Sequence, residues 1–120
     1  MKVTAKKTDG SLHFYFDGEL DEHAARVMRR QIDAFIDENA SAESAIFHMD
    51  SVTFMDSTGI GFFIGRYKKL SAYCITAYFA DVGSEADTVL ALSGVYAVIP
   101  KKRTDAYRQN VRPTGSDRRA

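Results

Sequence analysis

One short stretch of this chain concentrates residues that could do chemistry: Phe54-Met55-Asp56-Ser57-Thr58-Gly59-Ile60-Gly61. An acid, a hydroxyl pair and two glycines stand where an apolar run turns into a run of helical period. The first N–H groups of a helix have no partner within it, so a hydroxyl at such a junction faces a site that favours negative charge. Three uses are open to it. Ser57 or Thr58 can cap the helix. The loop can hold a ligand's phosphate. The hydroxyl can itself receive a phosphate, which adds about −1.5 to −2 charges and three acceptor oxygens.

Other chemistries fit less well. The loop lacks the lysine of a P-loop and the full spacing of a dinucleotide fingerprint. A nucleophile elbow needs glycines two residues on either side of its serine; Gly59 meets the second requirement, but Met55 occupies the first position. The possible bases are His13, His23 and His48, and two of these, His13 and His48, fall in expected strands as structural residues. The histidines and Cys74 show no metal-ligand spacing. We therefore expect no catalytic residue, no metal and no cofactor.

The elements that position the junction can be read from periodicity. Residues 2–7 alternate weakly, Thr8-Asp9-Gly10-Ser11 is a turn, and Leu12 to Phe16 is aromatic-rich and strand-like, which together make a β-hairpin. Asp17 to Leu20 closes it. Asp21 is placed to cap a helix over 22–38, with Ala24, Met28, Ile32, Phe35 and Ile36 on its apolar face. Ala45 to Met49 reads as a buried strand and Asp50 to Thr53 as a short connection. Beyond the junction, Ile60, Phe63, Ile64 and Tyr67 set a core stripe that leaves Phe62 and Arg66 off it. Tyr73 to Ala80 is read as a strand that buries Cys74, Ser84 to about Leu92 as a helix stopped by Ser93-Gly94, and Val95 to Ile99 as a last strand. Thr104 to Asn110 is read as a helical segment, and Pro113 to Ser116 as loose chain. The order ββαβαβαβ implies an α/β fold, a mixed sheet of about five strands with helices packed on it.

The chain of 120 residues suits one domain, and 45% apolar content suits a globular one. Residues 1–100 carry nine Lys/Arg against fourteen Asp/Glu, a net of −5, while 101–120 carry seven Lys/Arg against two Asp, a net of +5. We expect a domain over 1–100 and a basic tail over 101–120, partly helical or disordered. The acidic body argues against direct nucleic-acid binding. A single cysteine excludes an internal disulfide, and no apolar run reaches membrane-spanning length. These features point to the cytoplasm.

Three motifs together carry a resemblance. The stretch Phe54 to Gly61, followed by Gly65-Arg66-Tyr67-Lys68, resembles the signature of the anti-sigma factor antagonists of the STAS domain family, with the extension nearer the sporulation branch than the general-stress one. Gly18-Glu19-Leu20-Asp21 resembles that family's first strand-to-helix loop, and Leu92-Ser93-Gly94-Val95 its third helix end. The resemblance implies a single STAS domain that is not an enzyme. It implies partner switching: binding to an anti-sigma factor that is also a serine kinase, phosphorylation at Ser57, and reversal by a metal-dependent serine phosphatase. Asp21, Asp56, Ser57, Thr58, Gly59 and Gly61 would then form the partner surface, with Phe62 and Arg66 as further contacts. The alternative is a STAS interaction subunit of a stress-signalling scaffold or a transport complex.

Overall fold

The computed structural model describes residues 1–102. Four strands form one sheet in the order β1-β2-β3-β4: β1 (Lys2–Thr8), β2 (Ser11–Leu20), β3 (Ser44–Met55) and β4 (Thr76–Ala80). β1 pairs antiparallel with β2 across the Asp9-Gly10 turn, while β2–β3 and β3–β4 are parallel. The parallel pairs are bridged by α1 (Glu22–Glu38) and α2 (Ser57–Ala72), and α3 (Ser84–Ser93) follows β4.

Alternation along the strands decides which face is covered. Leu12, Phe14, Phe16, Ala45, Phe47, Met49, Ala77 and Phe79 are buried and join residues of all three helices in one core. Its centre is aromatic: Phe63 of α2 lies 5.1 Å from Phe47 and 4.9 Å from Phe79, ring centre to ring centre. The intervening residues His13, Tyr15, His48 and Tyr78 fall on the opposite face.

Several boundaries differ from the sequence reading. β2 continues through Asp17 to Leu20, and Asp50 to Thr53 is strand rather than connection, because the two segments pair with each other. β3 gains one residue on β2 between Tyr15 and Asp17 and another between Gly18 and Glu19, bulges that bend and twist the pair. The strand expected from Tyr73 begins at Thr76, because α2 runs to Ala72 and the next residues make its closing turn, in which Ile75 N–H donates to the Leu70 carbonyl at 2.9 Å. Cys74 is therefore exposed, with left-handed φ of 62°. Val95 to Ile99 is not a strand. Left-handed Gly94 ends α3 as expected, and the chain then curls into a 3-10 turn over Val95–Ala97. The N–H groups of Val98 and Ile99 both turn back to the Val95 carbonyl, at 3.0 and 2.9 Å, instead of joining a strand ladder, and Val95 and Ile99 are both buried by that curl. The sheet is extended instead by a single parallel bridge between Phe79 and Lys101. The expected helix over 104–110 and the loose segment over 113–116 lie outside the described residues.

The face of α2 also differs. Gly59, Phe62, Phe63, Arg66 and Leu70 are its buried residues, while Ile60, Ile64 and Tyr67 are only partly covered. Phe62 and Arg66, expected off the core stripe, are in it. The cause is α1, which packs along α2 and covers a flank that would otherwise face water.

Candidate functional site

The parallel pair β2–β3 ends in register, Leu20 opposite Met55. Each strand is followed by one aspartate, and each aspartate caps the next helix. Asp21 accepts from Ala24 N–H and Asp56 from Thr58 N–H, both at 2.9 Å. Both caps have the same extended backbone, φ −108°. The N-termini of α1 and α2 thus open side by side at the carboxyl edge of the sheet, where parallel α/β folds commonly place binding sites. Asp21 and Asp56, thirty-five residues apart in the sequence, are neighbours by topology.

This arrangement settles the local use of the hydroxyls. The side-chain cap of α2 is Asp56, not Ser57 or Thr58. Among the described residues neither hydroxyl takes a hydrogen bond. Ser57 is exposed as the first residue of α2, and Thr58 is half-buried. A phosphate on Ser57 would meet the helix's free N–H end but would also stand beside the Asp56 carboxylate.

The glycines divide by role. A Cβ on Gly59 would come within 2.6 Å of Met55 Cγ and 3.1 Å of Leu20 Cδ2, so this glycine lets α2 start tightly against the two strand ends. A Cβ on Gly61 or Gly65 would meet nothing within 4 Å. Gly61 is exposed on the side of α2 that follows Ser57.

Phe62 and Arg66 act from inside the fold. The Phe62 ring packs edge-on to Phe16, 6.2 Å away. Arg66, 7% exposed, reaches Asp33 of α1 with Nε 2.8 Å from Oδ1 and Nη2 3.4 Å from Oδ2. The Nε–H is not aimed at Oδ1, so the contact is a close ion pair rather than a linear hydrogen bond. Burial pulls the Arg66 guanidinium below its usual range, and Asp33 opposes that pull. Asp33 was missed as a partner because no sequence period links it to Arg66; the contact exists only where two helices cross. Phe54 of the same motif is 48% exposed, three residues before Ser57. Its exposure shows only once β3 is known to continue through it.

The histidines do not join this site. His13 Nδ1 and His48 Nε2 share a hydrogen bond of 2.9 Å, and His13 Nε2 lies 2.9 Å from Thr8 Oγ1. His48 precedes Met55 by seven residues on one strand, roughly 20 Å at about 3.3 Å per residue. It cannot serve Ser57 as a base. His23 is exposed in the first turns of α1. Among the described residues no three His, Cys, Asp or Glu side chains are placed to hold a metal ion, and no helix is long and apolar enough to cross a membrane.

Comparison with known proteins agrees with this layout. The STAS domain family profile matches residues 2–111. An anti-sigma F factor antagonist of Paenibacillus polymyxa is 31% identical over 100 residues, covering 83% of this chain and 85% of that one. The solved anti-sigma factor antagonist SpoIIAA, in its unphosphorylated form, superposes with a TM-score of 0.71 over 96% of this chain and 100% of its own, at 22% identity. The murine anion transporter Slc26a9 contains the same fold in 18% of its length, matching 86% of this chain with a TM-score of 0.69 at 14% identity.

Proposed function

This chain belongs to the STAS domain family, and on that premise we propose that it is a cytoplasmic anti-sigma factor antagonist switched by phosphorylation of Ser57. The observation that carries the reading is the state of Ser57: exposed, at the first position of a long helix, and relieved of capping by Asp56. Its partners in this reading are an anti-sigma factor with serine-kinase activity and a metal-dependent serine phosphatase. The chain contributes no catalytic group and no cofactor. Asp21, Asp56, Ser57, Thr58 and Gly61 supply the docking surface, Gly59 sets its shape, and Phe62 and Arg66 hold α2 in place beneath it.

Phosphorylation needs no refolding to act. The new charge sits beside the Asp56 carboxylate and at the same sheet edge as Asp21. A docked partner must then face an unpaired dianion, and like-charge juxtaposition costs several kcal/mol. A loss of about 3 kcal/mol is more than a hundredfold in affinity.

The test uses the anti-sigma factor kinase of the source genome, with ATP. Wild type should gain one phosphate on the peptide containing Ser57, Ser57→Ala should bind the kinase and gain none, and Ser57→Asp should bind at least tenfold more weakly. An acidic residue at the first turn suits a helix, so unchanged thermal stability of Ser57→Asp would assign its weaker binding to the interface. Phosphate mapped outside that peptide would sink the assignment. The occurrence of this fold inside an anion transporter supports a second reading, a STAS interaction subunit of a scaffold or transport complex. That reading requires stable assembly indifferent to Ser57→Asp.

A further inference from the structure

Beside Ser57 the flanks of α1 and α2 part to form a groove of about 430 Å³. Thr58, Gly61 and Gly65 line its α2 side, and Arg26 and Arg29 its α1 side. Three features define what it can hold. Nothing stands within 4 Å of the Cβ positions of Gly61 and Gly65, so another chain's backbone can approach closely there. Arg26 and Arg29 are exposed and, among the described residues, make no ion pair. Arg66, which also borders the groove, is already committed to Asp33. The one acid in the lining is Glu22, so two free guanidinium groups leave the groove positive on a body whose first 100 residues total −5.

We propose that this groove seats an acidic segment of the protein partner, with its backbone over Gly61 and Gly65 and its carboxylates on Arg26 and Arg29. The inference rests on the partner-switching reading above for the partner's identity. The chemistry comes from the groove: planar guanidinium forks pair with carboxylates in two parallel hydrogen bonds, and a glycine floor selects close-lying main chain rather than a bulky apolar anchor.

The experiment measures binding of the full chain to the same anti-sigma factor kinase at several salt concentrations. Its arms are wild type, Ser57→Asp, the double variant Arg26→Glu/Arg29→Glu, and Gly61→Leu. The arginine variant should bind at least tenfold more weakly than wild type and lose much of the salt dependence, because reversing rim and groove charges acts on attraction to the partner. Gly61→Leu should weaken binding to a similar degree while keeping its salt dependence, because it fills the groove without touching its charge. Unchanged circular dichroism and melting would show that both variants fold. If both bind within about twofold of wild type while Ser57→Asp remains impaired, the groove proposal is overturned and the switch reading stands. If wild type itself does not bind, the switch reading falls and this occupant with it.

Discussion

The opposite roles of Gly59 and Gly61 yield a sharp prediction, because the two are on one helix and two residues apart. Alanine at Gly59 places its Cβ 2.6 Å from Met55 Cγ and 2.9 Å from Met55 Sδ, against an ordinary carbon contact of about 3.5–4.0 Å. Met55 is a flexible side chain, but it is 7% exposed and Leu20, which closes the other side, is fully buried. Neither can swing into water without opening the core. Overpacking of this kind costs about 1–3 kcal/mol. Replacing glycine by alanine in a helix returns about 0.5–1 kcal/mol. Gly59→Ala should therefore lose about 1–2 kcal/mol net, and for a domain of this size each kcal/mol lowers Tm by about 4–8 °C. Gly61→Ala keeps the propensity gain and meets nothing within 4 Å, so it should be more stable than wild type by up to about 1 kcal/mol.

Urea unfolding of wild type and both variants measures the difference directly. Helix propensity is nearly common to the two sites, so their gap reports the packing at Met55. A further variant, Gly59→Ala/Met55→Ala, removes the side chain that clashes. It should be more stable than the sum of its single changes by about 1 kcal/mol or more, the coupling expected of residues in contact. Equal stabilisation by both alanines, or additive behaviour of Gly59 with Met55, would refute the packing role of Gly59.

Two further outcomes follow from groups away from Ser57. Arg66→Met should lose about 1.5–3 kcal/mol in urea unfolding, because it strips Asp33 of its charged partner; Asp33→Leu/Arg66→Met should recover a large part, and strict additivity would contradict a coupled pair. His13 and His48 are both held below the ordinary value of 6.5, first by burial, with Lys102 adding to the effect on His13 and His13 adding to that on His48 against the opposing Asp81 and Asp50. The unfolded chain therefore binds protons first, so the stability from the neutral pair is complete above about pH 6.5 and is lost as pH falls below it towards the folded values. Thermal melting from pH 7.5 to 5 should fall less steeply for His48→Gln than for wild type, and parallel slopes would exclude a contribution from the pair.

What the sequence could disclose follows the range of the interactions involved. The hairpin, the Asp21 cap of α1 and the stop at Gly94 rest on contacts within a few residues, and each was legible. The second half of β3 was not. Asp50 to Phe54 is largely exposed even at its apolar Phe54, and its strand character comes from pairing with Asp17 to Leu20 rather than from burial. Arg66 was misplaced for a related reason, since its buried position depends on Asp33, thirty-three residues earlier on another helix. The junction itself was legible as a site but not as a surface. Periodicity could place Ser57 at a helix start, yet only the packing of α1 on α2 sets a positive groove beside it. That adjacency bears on how one phosphate could release a partner. Thr58 lines the groove and Ser57 immediately precedes it. A dianion at Ser57 would repel the carboxylates of an acidic occupant and draw on the same two arginines. The switch would then act through charge at a fixed surface, and its strength would fall when Arg26 and Arg29 are reversed, even with Ser57 fully phosphorylated.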